Sequence, residues 1–443
     1  MLSFFYRGIH LPDHKKTTCH GASMPMEPAP RRVYLPVTAE RVSDLAVKSG
    51  DHVDLGQLLL DQSEGFAAIH APVSGTLLLP ELHPLADGTQ ALCLVVENDN
   101  RQSELVAEEE QLPIRDVPEL LRPEEIWAAA RRYGVAGMGG DGLPTDQKLE
   151  AAFRRVNLLI LNGAECDPYA TADQRLMLER PAAVLGGARL LLRALDLKTG
   201  IVAVGGNQYE AVAALRALLP LRGGDLQVRA IRARYPLGEE GALVRTLTGR
   251  PLPRGGRPQD VGAIVLNVAT AAALYDGVYG GRALTQRLVT VTGSAIAKPC
   301  NLLVPIGSPV ADLIAAAGGF SASPDRVLVG GALMGRAQTD LSVPILKGSS
   351  VIIAMTAEEA KPAGSREGPC LRCGRCARAC PEGLQPAVLR QSVEAEHWAA
   401  LEPLHMSACT ECGACAYVCP ARRRLTEYLR RGKSHLGEEG EGL

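Results

Sequence analysis

A chain of 443 residues, 46% apolar and 22% charged, exceeds one ordinary core and predicts a globular protein of about three domains. Its net charge of −2 lacks the basic footprint of a nucleic-acid binder and excludes that class of partner. Eight of the 12 cysteines crowd into one C-terminal stretch. The others, Cys19, Cys93, Cys166 and Cys300, form no disulfide framework, which predicts a reducing, cytoplasmic setting. Met1 to His10 carries no sustained apolar run, and later apolar windows are broken by Arg189, Arg193, Asn267 or Asp276. No transmembrane span is therefore expected.

Residues 1–30 read as an N-terminal arm. Its segment Ile9-His10-Leu11-Pro12-Asp13-His14-Lys15 is expected to be exposed rather than a ligand site. Residues 31–97 alternate short apolar runs with turn signals at Gly50-Asp51, Gly56-Gln57 and Ala71-Pro72-Val73-Ser74-Gly75, predicting a small all-β unit. The spacing resembles a lipoyl or biotinyl carrier barrel, yet no lysine lies between Gly56 and Gly75, so a docking module is expected and not a swinging arm. Residues 98–118, with Glu108, Glu109 and Glu110, read as a linker.

From 119 to 286 the pattern becomes alternating helix and strand. Pro123, Glu124 and Glu125 open a helix that ends at Gly134. The runs Leu158–Leu161, Ile201–Val204, Val228–Ile231 and Ile264–Leu266 predict buried parallel strands, separated by helical stretches at Asp173–Leu195 and Tyr209–Leu219. That is an α/β domain. Shorter units over 287–356 predict a small α+β domain.

The segment Gly137-Met138-Gly139-Gly140-Asp141-Gly142 contains G-x-G-x-x-G, but a helix precedes it where a dinucleotide fingerprint needs a strand. What remains is a backbone able to lie close against a flat or phosphorylated ligand, with Lys148 placed to meet a phosphate. A ligand-free glycine connector is the alternative.

Residues 365–430 hold two C-x2-C-x2-C-x3-C-P runs, and 431–443 form a tail. In bacterial-type ferredoxins three cysteines of such a run hold one [4Fe–4S] cube and the fourth holds its neighbour. On that rule one cluster takes Cys370, Cys373, Cys376 and Cys419, and the other takes Cys409, Cys412, Cys415 and Cys380. Zinc also uses C-x2-C pairs, but the x3 step and the closing proline favour clusters, which carry single electrons. Arg372, Arg375, Arg378 and Arg422–Arg424 make the region locally positive, either for docking or as a solvated face.

The glycine loop, the turn Asn162-Gly163-Ala164-Glu165-Cys166-Asp167-Pro168-Tyr169, Tyr235-Pro236-Leu237-Gly238-Glu239-Glu240 and Asn267-Val268-Ala269-Thr270 together resemble a known family. It is that of the flavin-binding component of respiratory complex I and, more closely, the RnfC component of the Rnf electron-transport complex. The resemblance covers nearly the whole chain. It implies a lipoyl-like barrel-sandwich domain, an α/β flavin- and NADH-binding domain, a β-grasp (SLBB-like) domain and a double [4Fe–4S] ferredoxin-like helical domain.

By the same resemblance Gly137, Gly139, Gly140, Gly142, Lys148, Asn162 and Asn267 would hold FMN. Asp167, Tyr235 and Glu239 would face the flavin and nucleotide, with Glu165 and Glu240 in catalytic positions and Tyr235 adding a stacking face. Asp141 and Leu143 stand where the family has alanine and phenylalanine, and Asp167 where glutamate is common. The implied function is electron exchange between NAD(H) and a ferredoxin-like partner through FMN and two clusters. The implied place is the cytoplasmic face of the cell membrane, peripheral to other components of an ion-translocating complex. Two alternatives stay open: a cobalamin-reductase-like flavin and iron–sulfur enzyme, and a non-enzymatic relay with a decayed flavin site.

Overall fold

A computed structural model of the chain describes residues 7–101, 121–222, 225–253, 255–360 and 366–440. The acidic part of the expected linker, Glu108–Glu110, lies outside them. The arm supplies a two-residue strand, β1 (Met24–Pro25). The barrel unit follows as β2 (Arg32–Val37), β3 (His52–Val53), β4 (Leu58–Leu60), β5 (Ile69–His70), β6 (Gly75–Leu77), β7 (Glu81–Pro84) and β8 (Gln90–Asn98). Alternation along β2 buries Val33, Leu35 and Val37, and the antiparallel register sets Val33 opposite Val96 and Leu35 opposite Leu94. This core runs on into the next domain, joining Leu77 and Val96 to Ile126, Leu161 and Val202 in one apolar cluster. The barrel is thus a packed wall of the molecule.

The α/β domain opens with α1 (Pro123–Arg132), whose first turn is fixed by the Glu125 carboxylate accepting from the Arg122 backbone amide at 2.7 Å, and α2 (Thr145–Ala152). Then come β9 (Leu158–Gly163), α3 (Ala172–Glu179), α4 (Pro181–Ala194), β10 (Thr199–Gly205), α5 (Tyr209–Arg222) and β11 (Asp225–Ile231). It closes with α6 (Glu240–Thr248), β12 (Ala263–Asn267) and α7 (Val268–Gly280). The four strands form a wholly parallel sheet in the order β11-β10-β9-β12. Both faces are covered, as parallel sheets require: Leu159 and Leu161 pack under α4 and α7, while Ile160, Ala203 and Val265 pack against α6.

The α+β domain contributes β13 (Gln286–Thr292), β14 (Cys300–Pro305), α8 (Val310–Ala316), β15 (Arg326–Val329), β16 (Arg336–Gln338) and β17 (Val351–Met355), followed by α9 (Ala357–Ala360). Its mixed sheet, in the order β1-β14-β13-β17-β15-β16, takes the arm's strand at one edge. The C-terminal unit is helical: α10 (Arg375–Ala379), α11 (Pro386–Glu394), α12 (Ala414–Tyr417) and α13 (Leu425–Gly440). Its two cysteine runs repeat one backbone pattern. Arg372 and Gly374 in the first run, and Glu411 and Gly413 in the second, all take left-handed conformations.

The arm corrects the expectation of an exposed terminus. Ile9 pairs with Tyr235 across a β-bridge, the Asn301 amide donates to the Thr18 carbonyl, and Lys15 is only 5% exposed. The Lys15 ammonium donates to the Glu165 carbonyl and lies 3.9 Å from the Glu165 carboxylate. Within the segment His10, Pro12, Asp13 and His14 keep to the surface, and the His14 ring stacks on Tyr169 at 4.6 Å. A short polar segment carries no periodic signal for this, because its burial comes from domains more than 100 residues away.

Burial pushes the Glu165 carboxyl up to about 7 against the pull of Lys15. A carboxyl raised in the folded state costs stability as pH rises through that value. Lys15→Met, by leaving a buried anion unpaired, should deepen that loss to about 3 kcal/mol above neutrality. The loss should shrink at about pH 5, where Glu165 takes a proton. Denaturant titrations at the two pH values measure the difference, and equal losses would contradict the pairing.

Candidate functional site

Parallel α/β sheets bind ligands outside the carboxyl ends of their strands. Here Asn162 lies near the end of β9, Asn267 ends β12, and the two are partners in register. Asn267 caps α7 by accepting from the Ala269 amide at 2.7 Å, and its own amide donates to Asp173 at 2.7 Å. Asn162 accepts from the Ala164 amide and donates to the Gly238 carbonyl at 2.8 Å. Both asparagines thus fasten the loops that rim the crevice.

The glycine loop closes this rim. The Gly137 amide donates to Leu143, the Gly142 amide to Gly137, and the Met138 amide to the Thr270 hydroxyl at 2.9 Å. Gly140 has φ 125°, and a Cβ on Gly139 would press to 3.3 Å from the Asn267 Cβ, so the backbone lies against the cap of α7. Among the described residues the amides of Gly139, Gly140 and Asp141 donate to nothing. Three free amides on a glycine turn make an anion-binding concavity. Buried Arg287 supports the loop from behind by donating to the Met138 and Lys347 carbonyls, and burial lowers its pKa to about 10.

Lys148 lies at the mouth but is not alone. It donates to Glu240 at 2.9 Å and to Asp141 at 3.5 Å, while burial raises the Glu240 carboxyl above its ordinary value. Glu240 and Lys148 are therefore one unit. Glu239 turns away, capping α6 by accepting from the Gly241 and Ala242 amides.

The acidic turn is the second wall. Glu165, at φ 37°, commits both carboxylate oxygens to the Asp173 and Gln174 amides that begin α3. Asp167 is raised by burial, and its Oδ1 has no hydrogen-bond partner among the described residues. A Cβ on Gly331 would fall 2.2 Å from that oxygen, so the β15–β16 turn comes within touching distance of the acidic turn. Burial pushes the Cys166 thiol up to about 12, and its sulfur accepts from the Gly238 amide at 3.2 Å.

Tyr235 departs from the expectation of a stacking face. It is 2% exposed, and its hydroxyl donates to the Cys412 carbonyl at 2.6 Å. The reason is the arm: pairing with Ile9 turns the ring into an apolar cluster with Ala379, Cys412 and Ala414. Arg245 adds a bond to the Pro381 carbonyl and an ion pair with Glu382 at 3.6 Å. The crevice domain is thereby sewn to the cysteine-rich domain.

Cys380, Cys409, Cys412 and Cys415 line one cavity together with Pro381, Leu384 and Leu429. These are the four expected to share a cluster, and each is at most 8% exposed. The Leu384 amide donates to the Cys380 sulfur and the Glu411 amide to the Cys409 sulfur, bonds that suit thiolate ligands. Of the other set, Cys370 and Cys373 are exposed, while Cys376 and Cys419 are half-buried and burial pushes the Cys376 thiol up. Among the described residues no three His, Cys, Asp or Glu side chains are arranged to hold a single ion.

Four family models match in chain order. They are an RnfC barrel sandwich hybrid domain over residues 3–101, a Nuo51 FMN-binding domain over 130–276, an SLBB domain over 288–337 and a 4Fe-4S dicluster domain over 369–422. Along the full chain, the C subunit of the proton-translocating ferredoxin:NAD(+) oxidoreductase complex of Clostridium ljungdahlii is 37% identical, with 100% of this chain and 96% of that protein aligned. The chain belongs to the RnfC family of ion-translocating oxidoreductase complexes.

The RnfC relative from Rhodobacter capsulatus, the C subunit of an ion-translocating oxidoreductase complex, is 38% identical over 89% of this chain and 76% of its own length. That of Erwinia tasmaniensis is 36% identical over 87% of this chain, which spans only 47% of that longer relative. Among solved structures, an NAD+-reducing [NiFe]-hydrogenase chain superposes with a TM-score of 0.51 over 69% of this chain and 63% of its own, at 21% identity, a likeness of fold. Sequence reasoning missed the parts played by Lys15 and Arg287, which reach the RnfC crevice from other domains, and by the Cys166 sulfur, which holds Gly238 across 72 residues.

Tyr235→Phe keeps the ring and removes only the donor to Cys412. It should weaken the hold on the C-terminal domain by about 1–3 kcal/mol, read as faster release of that domain in limited proteolysis. An unchanged cleavage rate would show that the hydroxyl carries no load.

Proposed function

We propose that this chain is the peripheral electron-input component of its complex, exchanging electrons between NAD(H) and a ferredoxin-like partner. The observation that carries the reading is the Tyr235–Cys412 bond, which sets the crevice domain directly against a four-cysteine cavity. FMN in the crevice would supply conversion between a two-electron hydride and single electrons, and two [4Fe–4S] clusters would conduct them.

The residues present fit both groups. The free amides of Gly139, Gly140 and Asp141 suit a phosphate, and Lys148 supplies the cation beside them. Asn162 and Asn267 hold the crevice floor. Gly137 and Gly142 shape the loop through their mutual bond. Glu240 is the carboxylate at the mouth, free to accept from ribose hydroxyls once Lys148 turns to a phosphate. Asp167, whose unpartnered oxygen lies against Gly331, belongs to the acidic wall, whereas Glu165 and Glu239 position helices α3 and α6.

In the cysteine domain Cys370, Cys373, Cys376 and Cys419 would hold one cluster, and Cys380, Cys409, Cys412 and Cys415 the other. Among the described residues no helix is long and apolar enough to cross a membrane. The proposed place is the cytoplasmic face of the cell membrane, docked on membrane components of the complex.

Asp141 gives the relay alternative its one supporting observation, since with Glu240 it occupies the cation that a phosphate would need. Anaerobic protein should carry about eight irons, as two cubes imply, and one FMN. NADH should bleach the flavin, and Glu240→Ala should slow that bleaching about tenfold or more, the worth of a charged hydrogen bond. Protein that takes up both clusters but no FMN would favour the relay, and zinc in place of iron would overturn electron transfer altogether.

A further inference from the structure

The two cysteine runs are alike in backbone and opposite in setting. In the second run Cys409, Cys412 and Cys415 are buried, and Glu411 is tied to Arg430 at 3.2 Å and to Lys433 at 3.5 Å. In the first run the equivalent of Glu411 is Arg372, exposed and without an acidic partner among the described residues. Cys370 and Cys373 are themselves exposed, and Leu371 between them is 63% exposed. Arg375 is exposed and unpaired among the described residues, and exposed Arg378 reaches only the Cys373 carbonyl at 3.4 Å. Acids of the same domain are engaged elsewhere: Glu367 and Glu394 with Arg390, and Glu382 with Arg245.

An exposed leucine and three exposed arginines without acidic partners among the described residues, on the run that holds exposed Cys370 and Cys373, have the makings of a redox contact. We infer that the face formed by Leu371, Arg372, Arg375 and Arg378 docks an acidic ferredoxin-like iron–sulfur protein or domain, and that electrons cross there. Charge complementarity selects the occupant, because these arginines, without acidic partners among the described residues, steer an anionic partner to the place where Cys370 and Cys373 reach the surface. Leu371 supplies the dry centre that such a contact needs.

The step balances simply. A reduced cluster, which Cys370, Cys373, Cys376 and Cys419 would hold, would give up one electron and be oxidised by one unit. The partner's cluster is reduced by one unit, with no bond made and no proton required; the reverse runs equally. This assignment rests on the electron-transfer reading above.

The test uses full-length protein with both clusters and a purified acidic bacterial ferredoxin as probe. Arg372→Glu with Arg375→Glu should slow exchange about tenfold or more at about 20 mM salt, and the difference should vanish near about 500 mM, where screening is nearly complete. Leu371→Ala should slow exchange at both salt levels, since apolar contact is not screened. Cluster EPR of dithionite-reduced protein and NADH bleaching of the flavin should match the parent in every variant.

Equal exchange rates at low salt, with both clusters intact, would overturn the docking face. So would a charge-reversal effect confined to self-association or to binding of anionic vesicles. Because dithionite can load the clusters without NADH, exchange is measurable even if NADH bleaching fails, so the two readings fall separately.

Discussion

The Tyr235 hydroxyl, buried and bound to the Cys412 carbonyl, sits where four parts of the chain meet. Behind it the arm pairs through Ile9; beside it Gly238 is held by the Cys166 sulfur and the Asn162 amide; beyond it lies the four-cysteine cavity. The β15–β16 turn closes the same junction, with Gly331 against Asp167 and the Leu333 carbonyl close to Gly413. Electron transfer needs redox groups near one another and away from water. One buried tyrosine holds the crevice domain against the cysteine cavity and away from water.

The arm shows how the charge of this junction is managed. Glu165, Asp167 and Asp173 are all raised by burial, and all three feel Lys15. A single lysine brought from residue 15 offsets a pocket of acids on a domain that begins more than 100 residues later. The price is dependence on an arm whose sequence looks expendable. Arg287 does the same for the glycine loop from the α+β domain, so neither wall of the crevice is complete within the α/β domain alone.

Much of the architecture was legible because its signals are local. The runs Leu158–Leu161 and Ile264–Leu266 are strands because branched apolar residues in short blocks suit a sheet covered on both faces, and they pair in parallel as alternating helices require. Pro123 and Glu125 start α1 for reasons contained within one turn. The cysteine runs are plain in their spacing, and Cys380 lines one cavity with Cys409, Cys412 and Cys415. What could not be read was tertiary. Nothing in Tyr235-Pro236-Leu237 says that a bridge to Ile9 will turn the ring into the apolar cluster beside Cys412. Nothing near Lys148 says that Glu240, 92 residues on, shares its charge.

In this arrangement the cluster of Cys380, Cys409, Cys412 and Cys415 would be the inner one, next to the crevice, and the cluster of the exposed run the outer one. The most direct measurement is freeze-quench EPR of Cys373→Ser protein, which loses a ligand of the outer cluster alone, after mixing with NADH. The remaining cluster should be reduced as the flavin bleaches. Bleached flavin beside a remaining cluster that stays oxidised, yet is reducible by dithionite, would contradict an inner cluster fed from the crevice.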